Sequence, residues 1–157
     1  MKIKLLLTGK TTESYLAEAI KEYEQRIKRY ISFEITLIPE LKTSKNCSVE
    51  QQKEREGALI LNAVSASDDV IVLDDKGTQY TSVAFAELLS KKMVISTRQL
   101  VFVVGGAYGF SPEVYRRANA QLSLSKMTFS HQLVRLLFVE QLYRAMTILK
   151  GEPYHHE

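Results

Sequence analysis

A lone cysteine, Cys47, excludes an intramolecular disulfide and any CxxC metal or redox motif, so the expected compartment is the reducing cytoplasm. No apolar run approaches the ~20 residues that a membrane-spanning helix needs. The apolar start, Met1 to Thr8, is too short for a signal peptide and lacks a small-residue cleavage site after it. Excess charge is also small: a net charge of +3 and a pI near 8.9 permit an RNA partner without establishing one. There is no internal repeat and no low-complexity segment. The 157 residues, 45% hydrophobic and 25% charged, suit one soluble domain spanning 1–157, which at that size buries roughly two-thirds of its unfolded surface.

Several familiar chemistries lack their residues. Thr8-Gly9-Lys10-Thr11 has the ending of a phosphate-binding P-loop, but the first glycine of that pattern falls on Lys4, inside a strand. Gly105-Gly106-Ala107-Tyr108-Gly109 has neither the spacing of a dinucleotide fingerprint nor a long helix directly after it. His131, His155 and His156 do not combine with acids at metal-ligand spacing, so no metal is expected. With no GxSxG elbow and no cysteine among activating neighbours, covalent nucleophilic catalysis has no residue to carry it.

What is present is a rhythm of strand and helix. Lys2 to Leu7, Phe33 to Ile38, Val70 to Leu73, Leu100 to Val104 and Leu122 to Leu124 are short apolar runs of the kind found in strands buried on both faces. A helix is expected from Thr11 or Thr12, with Leu16, Ile20, Tyr23, Ile27 and Tyr30 at helical spacing and a solvated face of Glu18, Lys21, Glu22, Lys28 and Arg29. Pro39 ends the second strand, and a polar connection with Lys42 and Lys45 follows. Ser48 and Gln51 form a capping box opening a helix to about Ala66. Its polar first half, Val49 to Glu56, reads as an arm toward a partner or, by preference, as a solvated helix end. Asp74 to Gly77 is expected to be a turn, followed by a helix over Ser82 to Lys92. Ser111-Pro112-Glu113 is a helix start, and Ser130 is placed to cap a last helix from His131 to about Lys150, stopped by Gly151. The alternation predicts an α/β fold with a mostly parallel sheet and helices on both faces.

Two features point to function. Leu100 to Val104 and Leu122 to Leu124 are expected to be neighbouring strands, and ligands of open α/β sheets sit outside the carboxyl ends of strands. Gly105 and Gly106 remove two side chains from that place, where a valine is expected to fill the ligand's space. The last helix is apolar around most of its circumference, from Leu133 through Leu137 and Phe138 to Leu149. One sheet covers one side of a helix, so a homodimer built on this helix is expected.

Ordered blocks then carry a resemblance: Leu73-Asp74 with Gly77; Phe102-Val103-Val104-Gly105-Gly106 with Gly109; Leu122 to Phe129 with His131 and Arg135; Glu140 to Ala145; and Pro153-Tyr154-His155 with Glu157. Together they resemble the ribosomal RNA large subunit methyltransferase H family over the whole chain. The resemblance implies the SPOUT class, an α/β knot with a C-terminal trefoil knot that periodicity could not show. It implies a homodimer that uses S-adenosyl-L-methionine to methylate N3 of a pseudouridine in helix 69 of 23S rRNA on the assembled ribosome.

On that footing the donor site is expected at Leu73, Gly105, Gly106, Leu124, Ser125, Lys126, Met127, Thr128 and Phe129, an apolar slot with backbone amides and carbonyls. His155, Glu157, Tyr154 and Arg144 are the expected catalytic residues, since the acceptor imide must lose a proton and histidine titrates near neutrality. Arg144 and Arg135 are expected to hold RNA phosphates or to structure the last helix, and Arg144 also lies at i,i+4 from Glu140. The place before the terminal glutamate, usually basic in that family, is His156 here. The rival readings are a ribosome-binding protein that keeps the fold without turnover and a flavodoxin-like mononucleotide module.

Overall fold

The computed structural model describes residues 1–41 and 46–156, so Lys42, Lys45 and Glu157 lie outside the described residues. Five strands, β1 (Lys2–Thr8), β2 (Ser32–Ile38), β3 (Asp69–Gln79), β4 (Gln99–Val104) and β5 (Ala120–Ser123), alternate with five helices, α1 (Ser14–Ile27), α2 (Val49–Asn62), α3 (Ser82–Val94), α4 (Pro112–Arg117) and α5 (Leu133–Leu149). All pairings are parallel and the order is β2-β1-β4-β3-β5. The parallel α/β class with helices on both faces is therefore as expected.

Alternate side chains of each strand feed two cores. Ile3, Leu5, Phe102 and Ile71 pack with Ile20 of α1, Phe85 of α3 and Phe138 of α5, while Leu6, Val101, Val103 and Val72 pack with Ile60 of α2 and Val114 of α4. Central strands buried on both faces explain the unbroken apolar runs.

Four expectations change. β4 and β5 are not neighbours, because β3 lies between them; the two runs look alike because burial, not adjacency, sets their composition. Asp74 to Gly77 is no simple turn. β3 runs on through an irregularity between Leu73 and Thr78 and pairs with β5 again at Thr78 and Gln79. Gly77 permits this approach, since a Cβ there would stand 2.7 Å from the backbone of Gln121.

The polar half of α2 is solvated on one side only: Val49, Glu50, Gln51, Glu54 and Arg55 are exposed, as expected, but Gln52 and Glu56 are each 5% exposed. Gln52 Nε2 donates to Glu56 Oε1 at 3.1 Å and to the Leu41 carbonyl at 3.4 Å, which gives their polarity internal partners. Finally, α1 begins at Ser14 rather than at the threonines, because the Thr12 amide donates to Gln132 Oε1 at 2.9 Å.

The predicted caps form. Ser48 and Gln51 make the reciprocal capping box and Ser111 caps α4 with Pro112 at its first turn, while Thr81, which was not among the expected caps, caps α3. Ser130 Oγ accepts from the Leu133 amide at 3.1 Å at the entry to α5. Within the monomer α5 lies against both α1 and α3. Two helices as well as the sheet thus account for much of its apolar circumference. Phe138 is wholly buried against Phe102, with ring centroids 4.7 Å apart, so it belongs to the core and to no interface. Leu133 and Leu149 remain exposed.

Candidate active site

Because every strand runs the same way, their carboxyl ends share one rim. A cavity of about 490 Å³ opens there beside β3, β4 and β5, lined by Leu73 to Lys76, Val104 to Phe110, Tyr115, Leu122 and the segment from Leu124 to His131 apart from Lys126. Of the expected donor residues, Leu73, Gly105, Gly106, Leu124, Ser125, Met127, Thr128 and Phe129 line it. Lys126 is exposed and forms no part of the wall.

The loop after β5 is shaped by its own polar groups. Ser123 Oγ donates to the Ser125 carbonyl at 2.8 Å and to the Asp75 carbonyl at 3.2 Å, the Met127 amide donates to Ser125 Oγ at 3.0 Å, and Thr128 Oγ1 donates to Asp75 Oδ2 at 3.2 Å. These bonds fasten the loop to the end of β3. Backbone and the apolar side chains of Leu73, Val104, Leu122, Leu124, Phe129 and Val134 supply much of the remaining wall.

The glycines have a different reason from the expected one. A Cβ on Gly105 would stand 2.9 Å from the Phe110 ring, and one on Gly106 would stand 3.0 Å from Glu56 Oε2. A Cβ at Gly105 presses into the Phe110 ring, and one at Gly106 obliges the Glu56 carboxylate to give by a few tenths of an ångström. Gly109 is different again: its φ of +82° lies in the left-handed region and nothing is within 4 Å of its absent Cβ, so backbone conformation is what asks for glycine.

The sequence marks the Leu73-Asp74 strand exit without assigning Asp74 to the site, and it gives no sign of Tyr115. The Tyr115 hydroxyl donates to the Asp74 carboxylate across the cavity wall. Burial, then this bond, pushes the tyrosine well above its ordinary range. Asp74 sits at a strand exit, a signal available in the sequence. Its partner lies 41 residues away, and nothing local marks it.

The tail residues form a separate cluster. Arg144 Nη2 lies 2.5 Å from Glu140 Oε1, Tyr154 Oη donates to the same oxygen at 2.9 Å, and the guanidinium stands 4.9 Å from the centre of the Tyr154 ring. Arg144 Nη1 is 3.1 Å from His155 Nδ1; since a guanidinium only donates, Nδ1 accepts. Tyr23 of α1 completes the cluster, its hydroxyl 3.4 Å from that of Tyr154.

None of these tail groups lines the first cavity. Glu140, however, lines a second cavity of about 390 Å³ that shares Leu122, Leu124 and Phe129 with the first. Arg135 structures its helix. It is wholly buried and donates to the carbonyls of Thr8, Gly9 and His131. No group of three or more His, Cys, Asp and Glu able to hold a metal occurs among the described residues, and no helix is long and apolar enough to cross a membrane.

A doubly covered parallel sheet with a ligand-sized cavity at its carboxyl rim and a loop leading into a long last helix defines the class. The family described as predicted SPOUT methyltransferase matches residues 1–155, and the chain belongs to it. It is therefore a methyltransferase. The chain is similar to proteins named ribosomal RNA large subunit methyltransferase H: 56% identical to one from Parabacteroides distasonis and 54% to one from Phocaeicola vulgatus, each over 157 residues and the full length of both chains. One from Christiangramia forsetii is 55% identical over 156 residues, 99% of each chain.

Proposed function

We propose that the chain methylates N3 of a pseudouridine in helix 69 of 23S rRNA, using S-adenosyl-L-methionine, on assembled ribosomes in the cytoplasm, as a homodimer of single-domain subunits. The observation that carries this is the cavity at the carboxyl rim. Its size falls within the usual ligand range of about 300–1,000 Å³, and its apolar wall with accessible backbone suits an adenosine bearing a small cationic chain. Leu73, Gly105, Gly106 and the loop of Leu124, Ser125, Met127, Thr128 and Phe129 would hold the cofactor, with Lys126 at the loop's outer side. When bound, it supplies an electrophilic methyl group.

The chain's own residues have two tasks, to fix the geometry and to manage one proton. Tyr154, Arg144 and His155, gathered on Glu140 beside the adjoining cavity, are the groups assigned to the acceptor, together with the terminal Glu157. With Arg144 donating to Nδ1, a neutral His155 carries its proton on Nε2.

For the homodimer, the apolar residues that α5 leaves exposed are Leu133 and Leu149, one at each end of the helix. The path of α5, which leaves β5 at one edge of the sheet and packs against α1 beside β1, supports a threaded C-terminal segment, the trefoil knot of the class. The test is to compare methylated nucleotides in ribosomes from cells with and without the protein, alongside equilibrium dialysis with S-adenosyl-L-methionine. Unchanged ribosomal modification, or no retention of the cofactor, overturns the reading.

A further inference from the structure

A buried acid stands behind the cavity wall, and among the described residues no cation answers it. Glu56 of α2 is 5% exposed, and Oε2 and Oε1 lie 3.0 and 3.2 Å from where a Cβ of Gly106 would be. Gly106 itself lines the cavity, so one backbone residue separates the carboxylate from the space where a ligand would sit. Among the described residues its hydrogen-bond donor is the neutral amide of Gln52, and it takes part in no ion pair.

Burying a carboxylate without a counter-charge is costly, and a protein that keeps one usually brings a positive group to it. The acids in the cavity wall itself, Asp74 and Asp75, are half-buried and exposed respectively, so water as well as the hydroxyls of Tyr115 and Thr128 can solvate them. Lys76, the only lysine or arginine in the wall among the described residues, belongs to the exposed end of β3.

We propose that Glu56 is the counter-charge for the cationic methyl donor, so that the cavity favours a sulfonium over the neutral thioether left after transfer. This rests on the reading that the cavity holds S-adenosyl-L-methionine. Methyl transfer moves the positive charge off sulfur and leaves S-adenosylhomocysteine neutral at that atom. An anion behind Gly106 therefore stabilises the donor more than the transition state or the product. Its contribution is to donor binding and product release, and Glu56 acts as a specificity-determining residue that touches neither reacting atom.

The experiment is calorimetric titration of wild-type protein, Glu56→Gln and Glu56→Asp with S-adenosyl-L-methionine and, separately, with S-adenosylhomocysteine. The glutamine variant should lose about tenfold in affinity for the donor and change by less than about twofold for the thioether. The aspartate variant, which keeps the charge, should keep the wild-type ratio of the two affinities. The thioether titration also reports whether each variant's cavity is intact. Equal weakening of both ligands by Glu56→Gln would show that Glu56 only supports the loop, and unchanged donor affinity would show that its charge is not felt. Either result overturns the proposal while leaving the cavity assignment standing. Wild-type protein that binds neither ligand overturns the cavity assignment itself.

Discussion

Arg135 donates from Nη2 to the carbonyl oxygen of Thr8 at 2.7 Å, across 127 positions of chain, and so ties the first turn of α5 to the carboxyl end of β1. A second bond, Nη1 to the Gly9 carbonyl at 2.8 Å, makes the contact a fork. The side chain is wholly buried, and burial presses its pKa below the ordinary arginine value while the charge of Glu40 opposes the shift.

Replacing Arg135 with methionine keeps the bulk and strands these carbonyls. The expected loss is about 3 kcal/mol or more of unfolding free energy in urea, since each buried acceptor left unpaired costs about 1–3 kcal/mol. Lysine should recover only part of this, because an ammonium on a flexible stem does not reproduce the planar fork. Wild-type stability in the methionine variant would show the bonds to be incidental.

Gly57 sits inside α2, where alanine ordinarily stabilises a helix by about 0.5–1 kcal/mol. Here the sign should reverse. A Cβ would stand 2.4 Å from Ser111 Oγ and 3.2 Å from Val114 Cγ2, so Gly57→Ala must push apart α2 and the capped start of α4. A destabilisation of about 1–3 kcal/mol is expected. Adding Ser111→Gly removes the first collision, and a double-mutant cycle in urea should show positive coupling between the two sites. Simple additivity would mean that the close approach carries no energy.

Three tyrosines predict behaviour in alkali. Tyr30, hydrogen-bonded to Glu152, is pushed up to about 12, and burial raises Tyr115 and Tyr154 further. Each keeps its proton to higher pH when folded than when unfolded. The stability they provide is complete below the unfolded value of 10.0 and is lost as pH rises through the folded values. Urea midpoints should therefore fall progressively above about pH 10, while tyrosinate absorbance of the native protein lags behind that of the denatured chain. Tyr115→Phe should flatten part of the fall. A midpoint that ignores pH in that range contradicts the assignment.

The tail and the first cavity are separate in space, which predicts separable losses. Deleting residues 153–157 should abolish ribosomal RNA methylation and leave affinity for S-adenosyl-L-methionine within about threefold of wild type, measured by radiolabel transfer and by calorimetry. Loss of both would mean that the contacts of Tyr154 with Tyr23 and Glu140 hold the fold of the site.

Much of the site was legible because it is punctuated by strand ends. Leu73, Gly105 and the Leu124 to Phe129 loop are found by asking where an apolar run stops, and a ligand crevice belongs at such stops in a parallel sheet. The reason for Gly106 was not legible. Its neighbour is Glu56, and a polar helix half looks the same in sequence whether it is solvated or folded against a loop. Likewise α5 could be recognised as an apolar helix, but not as one lying against α1 and α3 with Phe138 in the core.

The amino-acid order by itself determined the ten elements, most of their caps, the parallel α/β class and the family, because periodicity, capping and turn chemistry act over a few neighbouring residues. Only the tertiary structure decided that β3 separates β4 from β5, that Glu56 lies behind Gly106, that Tyr115 meets Asp74 and that Arg135 reaches Thr8. Such pairs are joined across about 40 to 130 residues by crossovers whose direction no local pattern encodes. Their energies come from burial, which exists only once the sheet and both helical layers have closed.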